Sequence, residues 1–327
     1  VYFGGGTPSY IPPKLILGAM NQIRKCFTLS KDAEVTLELN PGTIGESKVK
    51  IYKEAGINRY SIGLQTAIDE QLADIGRIHN VRDYVYATKL LKGENFSTDV
   101  MLGLKNQSKE DIGKTIELAA ACGSKHISMY ALTVEDGTPI YTDYLNGELP
   151  DSDEVADMYD FGRALLKKFG FERYEISNFA RPGYASRHNL KYWNLDEYLG
   201  FGPSAASDFA GKRFSAVADL KAYNEGIRKH GQILRECDAI PMRERAGEYV
   251  MLRLRTSIGI NAEEYEKRFL MPFAPLDALL QRFAGRGYAE KRDDRWVLTE
   301  QGWLVSNQII ITLNEAQERS TPLAKKR

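Results

Sequence analysis

Apolar residues in the first 130 positions come in short runs separated by amphipathic stretches, and this alternation predicts strands and helices in turn. Val1-Tyr2-Phe3 has the β-branched and aromatic character of a buried strand and runs into Gly4, Gly5, Gly6 and Thr7-Pro8. Pro12-Pro13 marks the start of a helix over residues 13–25. Residues 34–39 alternate like a strand and stop at the turn signal Asn40-Pro41-Gly42. A helix over 46–55 is closed by Gly56 at its C-terminal cap, and the next strand, 59–64, ends at Gln65-Thr66. Helical segments follow over 69–76 and 81–92. Then come a strand over 98–102, a helix over 109–121 closed by Gly123, and a strand over 126–132.

Five short strands separated by helices build a parallel sheet. Periodicity does not separate a doubly wound sheet from a barrel, but the polar residues do. Thr7, Glu38, Gln65 and Asp99 all lie in or just after strands, and side chains converging from several strand ends are what a (β/α) barrel mouth requires. The three glycines have two readings. They let backbone N–H groups approach a ligand, or they form a βα turn that needs positive φ.

Beyond residue 132 the pattern changes. A helix over 151–168 opens on the acidic run Asp151-Ser152-Asp153-Glu154, suited to a helix N-terminus. Residues 174–214 read as a long irregular stretch rich in Tyr, Asn, Gly and Pro, containing RHNLKYW (187–193) and GFGPSAASDF (200–209). So long a loop usually covers or carries a site. From Glu236 the pattern is helical (242–255, 262–269, 276–283), with a strand over 296–299 and a last helix from Glu300. Helices with one small hairpin suggest a winged-helix-like domain, and the tail EAQERSTPLAKKR is polar and expected to be loose. The expected division is 1–172, a connecting region 173–235, and 236–327.

At 327 residues the chain has room for about two domains. Lys+Arg and Asp+Glu are equal at 44 each, so no global field recruits nucleic acid or an anionic membrane. No apolar run approaches the roughly 18 residues of a membrane span and no signal peptide is visible; a cytoplasmic location is expected from the cysteines, which look like reduced, cytosolic thiols. Cys26, Cys122 and Cys237 are odd in number and far apart, which predicts reduced thiols without metal-ligand spacing.

Several residues carry candidate chemistry. Glu38 suits ribose hydroxyls or a ligand ammonium, or else an ion pair with a nearby Arg. Gln65 ends an otherwise apolar strand, where a buried amide needs partners. Asp99 lies within a central strand, where an acid is rarely used for packing, although a cap or ion pair is the alternative. Arg77, followed by His79, reads by itself as a surface residue. His188 sits in the expected loop beside Asn189, with Tyr192 and Trp193 close by. An imidazole beside aromatic surface is what a haem needs, although a hydrogen-bonded structural histidine fits too.

Taken together, YFGGGTPS, TLELNP, SIGLQT, Gly76-Arg77-Ile78-His79, STDVMLGL, MYALTVEDGTP and YEISNFA resemble one group closely. The chain resembles the radical S-adenosylmethionine (SAM) haem chaperone family (HemW-type), within the oxygen-independent coproporphyrinogen III oxidase-like superfamily. The likeness spans essentially the whole chain. It implies an α/β fold: a partial, TIM-like (β/α) barrel of the radical SAM type plus a mainly helical, winged-helix-like C-terminal domain. It further implies that Gly5, Gly6 and Thr7 offer groups to SAM, that Glu38, Gln65, Arg77 and Asp99 contact it, and that Ala131 lines the site. The family's [4Fe–4S] cluster is held by a CxxxCxxC motif upstream of the GGGTP strand. On this resemblance the chain is expected to lack its first βα unit, and with it the metal ligands. HNLKYW (188–193) matches the HNxxYW signature associated with haem binding, which makes His188 the candidate haem ligand. The implied function is to bind haem and pass it to an acceptor protein. The alternatives are oxidative decarboxylation of coproporphyrinogen III and a non-catalytic barrel fragment with a docking role.

Overall fold

Each apolar run of the first half forms a strand, and the strands pair in the order in which they occur. In the computed structural model, which describes residues 1–323, β1 (Tyr2–Phe3), β2 (Thr36–Leu39), β3 (Arg59–Gln65), β4 (Phe96–Leu102) and β5 (His126–Ala131) lie parallel and in sequence. The helices between them are α1 (Pro13–Cys26), α2 (Glu46–Ala55), α3 (Asp69–Asp74), α4 (Val81–Leu90) and α5 (Lys109–Ala121). Their ends follow local chemistry. Asn80 and Ser108 cap α4 and α5 through reciprocal bonds with Asp83 and Asp111. Gly56 closes α2 at φ +84°, the left-handed conformation that glycine adopts without a Cβ penalty.

The strands are buried on both faces but are not uniformly apolar. Leu37, Leu39, Tyr60, Ile62 and Leu64 form one core with Met20 of α1, Tyr52 of α2 and Tyr84 of α4. Val100, Leu102, Ile127 and Met129 form another with Ile112 and Ile116 of α5 and with α7 (Ser152–Lys168), which follows α6 (Pro139–Leu145). Most of the intervening positions, one residue out of phase, are polar, among them Glu38, Ser61, Asp99 and Ser128. Register sets Glu38 opposite Ser61, and Asp99 opposite both Gly63 and Ser128. The period of two along each strand therefore gathers the polar side chains on the face away from the helices.

Two short strands that the pattern does not announce complete this sheet. β6 (Glu172–Arg173) and β7 (Asn178–Ala180) are antiparallel, and the full order is β1-β2-β3-β4-β5-β7-β6. The expected irregular stretch over 174–214 is thus partly regular. It holds β7, the helix α8 (Arg187–Trp193), β8 (Ala206–Phe209) and the start of β9 (Lys212–Ala216). HNLKYW lies on a helix, not in a loop.

The chain divides into two compact units, one ending at His188 and one beginning at Asn189. In the second, β8, β9 and β10 (Leu234–Ala239) form an antiparallel sheet, with α9 (Leu220–Arg228) between β9 and β10. Residues 236–239, expected to begin the helical region, are strand. All six residues of β10 are exposed, so the strand carries no alternation to read. The remainder is α10 (Met242–Arg253), β11 (Ile260–Asn261), α11 (Ala262–Phe269), α12 (Ala274–Ala284), β12 (Ala289–Arg292), β13 (Arg295–Leu298), α13 (Glu300–Leu304) and α14 (Ser306–Glu318). The expected hairpin is β12–β13, with β11 added to its other edge. Tyr249, Tyr265, Phe269 and Phe273 pack ring against ring between these helices, with centroids 5.1–5.5 Å apart along the chain of contacts. The tail differs from expectation at its start, where 315–318 are the last turn of α14; positions 324–327 lie outside the described residues. Among the described residues no helix is long and apolar enough to cross a membrane.

Candidate functional site

The polar face of the first unit opens into a cavity of about 210 Å³. Its walls come from successive strands: Glu38 of β2, Ser61, Gly63 and Gln65 of β3, Asp99 of β4 and Tyr130 of β5. Gly6 and Thr7, after β1, and Arg77, after α3, complete them. Six of the residues singled out from sequence therefore meet in one place: Gly6, Thr7, Glu38, Gln65, Arg77 and Asp99. Gly5 borders the same loop but is not part of the wall. Ala131 is exposed at the end of β5, one position beyond Tyr130, which lines the cavity in its stead.

The glycine run is explained position by position. A Cβ on Gly4 would fall 2.5 Å from Tyr2 Cε1 and 2.8 Å from Glu38 Oε1, so the first glycine makes room for a side-chain pair. Gly5 and Gly6 have φ of +78° and +110° with open space around them; there the backbone conformation is what requires glycine. The turn reading holds at Gly5 and Gly6, and Gly4 has a packing role that the sequence did not suggest.

Glu38 finds a phenol, not an arginine. The Tyr2 hydroxyl donates to Glu38 Oε1 at 2.6 Å. Burial, reinforced by the charge of Glu38, holds the Tyr2 phenol far above its ordinary value, so it stays a donor. Asp99 accepts from Ser61 Oγ at 3.3 Å. Burial pushes its carboxyl up to about 6 and the charge of Glu38 adds to the shift, while a hydrogen bond from Ser128 opposes it. Gln65 is buried at φ +73°, where a non-glycine residue is strained, and its Oε1 accepts from the Tyr130 hydroxyl at 3.1 Å. A register shift between Gly63 and Gln65 aims that side chain. Arg77 is half-buried and makes no ion pair within the described residues. Two carboxylates, an amide and an unpaired guanidinium complement a ligand with hydroxyls and a zwitterionic end. The volume is below the roughly 300–1,000 Å³ of drug-sized sites, so it accommodates part of such a ligand. Sequence reading missed Ser61 and Tyr130. The signal for Ser61 was its spacing of two and four from Gly63 and Gln65, which places all three on one face.

His188 lies apart from the cavity but is tied to the same unit. The Glu34 carboxylate accepts from the backbone N–H of Arg187 at 3.1 Å and of His188 at 3.0 Å, capping α8. The Arg187 guanidinium donates to the Asp32 carbonyl at 2.7 Å. The His188 ring stacks on Tyr2, centroids 4.4 Å apart and 15° from parallel. Four residues on, Tyr192 is 39% exposed and meets Tyr198 edge-on at 4.7 Å. A half-exposed imidazole with one face against a ring suits an axial ligand to a planar aromatic metal complex. Of the three thiols, Cys26 of α1 and Cys237 of β10 are exposed, and Cys122, just past α5, is half-buried. Among the described residues no group of three or more His, Cys, Asp or Glu side chains is arranged to hold a metal ion.

The Radical SAM superfamily model matches residues 1–119 and the HemN C-terminal domain model matches residues 240–305. The chain is 32% identical over 312 residues to the heme chaperone HemW of Buchnera aphidicola subsp. Schizaphis graminum, covering 95% of this chain and 82% of that protein. It is likewise 32% identical over 316 residues to the heme chaperone HemW of Bacillus subtilis, covering 94% and 83%. Among solved structures it is similar to coproporphyrinogen III oxidase (HemN) of Escherichia coli, a radical SAM enzyme, with a TM-score of 0.81 and 20% identity over 96% of this chain and 77% of that one. This last likeness concerns the fold.

Proposed function

We propose that this chain, which belongs to the HemW family within the radical SAM superfamily, binds haem and hands it to an acceptor protein. The observation that carries the reading is the 32% identity, sustained over 94–95% of the chain, to proteins named haem chaperones. The second unit's HemN C-terminal domain match fits the same family.

In this reading His188 offers a ring nitrogen to the haem iron. Glu34 fixes the first turn of α8 and Tyr2 fixes the imidazole plane, so little side-chain entropy is lost when a ligand arrives. The cavity is the SAM site. Arg77 faces the methionyl carboxylate, Glu38 and Asp99 accept from hydroxyl and ammonium donors, and Gln65, anchored by Tyr130, presents its amide. Gly6 brings main chain to the ligand without a side chain in the way. When bound, SAM supplies an adenosyl group on a sulfonium sulfur.

The test is equilibrium haem binding by the purified chain, followed by transfer to an apo-haemoprotein, together with an assay for decarboxylation of coproporphyrinogen III by a longer version that carries the family's CxxxCxxC segment. Stoichiometric binding and transfer without porphyrin formation is the expected result. Porphyrin formation would move the chain to the oxidase reading, and binding of neither haem nor SAM would leave a docking role.

A further inference from the structure

Tyr2 touches both ligand positions of the proposed function. Its hydroxyl donates to Glu38 Oε1 at 2.6 Å, on the cavity wall. Its ring face lies on the His188 imidazole at 4.4 Å. Gly4 closes the remaining side, since even a methyl group there would overlap both the Tyr2 ring and the Glu38 carboxylate. The ring is therefore confined between a backbone, a carboxylate and an imidazole.

The elements on either side of this contact differ in firmness. The His188 backbone is held by Glu34 and the neighbouring Arg187 by Asp32. Glu38 has one oxygen committed to Tyr2 and stands in a cavity whose other acid, Asp99, feels its charge. A donor that engages the second Glu38 oxygen orients the carboxylate plane. The short phenol bond follows that plane, and the ring follows the phenol.

We propose that Tyr2 is a positioning residue that links the cavity to His188, so that a ligand engaging Glu38 alters the orientation of the imidazole and the two sites bind with coupled affinity. The inference rests on the haem-chaperone reading only for the identity of the two ligands; the link between Glu38 and His188 is made by the chain's own residues. Coupling is reciprocal, so haem on His188 strengthens binding in the cavity by the same factor that cavity occupation strengthens haem binding.

The experiment reads the link without any ligand. In histidine-labelled full chain, the ring-proton resonance of His188 is assigned by its loss in His188→Ala. The stacked Tyr2 ring makes that resonance sensitive to small displacements. Glu38→Ala is expected to move it in the wild-type background and to leave it in place in the Tyr2→Phe background, where the ring remains and the hydroxyl is gone. Glu38→Gln, which keeps the volume, replaces Glu38→Ala if that variant does not fold. With SAM as the probe, haem affinity should rise by about fivefold or more in wild type and stay level in Tyr2→Phe. An unmoved His188 resonance in Glu38→Ala, or an equal shift in both backgrounds, overturns the link. Neither result bears on whether the chain binds haem, which the titration decides separately.

Discussion

Asp99→Asn removes a charge that the fold holds under strain, and the consequence can be worked from the site. The carboxyl stands at about 6, against about 3.9 in an unfolded chain. That difference of about 2 units corresponds to about 3 kcal/mol of unfavourable free energy once the group is ionised. Between about pH 4 and pH 6 the folded state binds more protons at this position than the unfolded state, so stability falls as pH rises through that window and is level above it. The amide of Asn still accepts from Ser61 and does not titrate. At pH 4 the two proteins should match; at pH 7–8 the variant should be more stable, by up to about 3 kcal/mol. Urea unfolding followed by far-ultraviolet circular dichroism, at several pH values, measures the difference directly. Glu175, pushed up to about 7 by burial, titrates in both proteins and cancels on subtraction. SAM binding should weaken in the same variant, so stability and binding move in opposite directions, as expected of a group kept for function. A stability difference that does not vary with pH, or an Asn variant less stable at pH 7, would mean that burial does not raise the Asp99 carboxyl in the folded chain.

Gln65 and Gly4 give two further tests. Gln65→Ala should weaken SAM binding by about 1–3 kcal/mol, the scale of a buried polar contact removed. Gln65→Gly should lose the same binding yet fold about 1 kcal/mol more stably than the Ala variant, because φ +73° strains any residue with a Cβ. Equal stability of the two would show that the conformation is not strained. Gly4→Ala should destabilise by about 1–3 kcal/mol, as overpacking does, because its Cβ meets both Tyr2 and Glu38. Its effect should shrink in a Tyr2→Ala background, and a full effect there would show that the close contact is elsewhere.

Much of the parallel sheet was legible because its strands carry apolar positions in runs that helices interrupt. Glu38, Gln65 and Asp99 stood out for a physical reason, since acids and amides inside strands must face something other than the core. What escaped was set by pairing across space. β6 and β7 are two and three residues long, too short for any period, and they become strands only because β5 offers an edge. β10 is exposed throughout and is held by hydrogen bonds to β9. The HNLKYW segment forms a helix because a carboxylate some 150 positions earlier, Glu34, caps it; nothing local announces that. The Tyr2–Glu38 pair likewise joins two strands, whereas the sequence suggested ligand hydroxyls, a ligand ammonium or an arginine as partners of Glu38.

Whether His188 receives haem is read from a haem titration of the wild type against His188→Ala. The wild type should bind haem stoichiometrically with a Soret band characteristic of imidazole ligation. His188→Ala should show a shifted Soret band and weakened binding, with its fold intact by circular dichroism. A variant that binds haem with the same stoichiometry, spectrum and affinity as the wild type would mean that His188 is not the ligand.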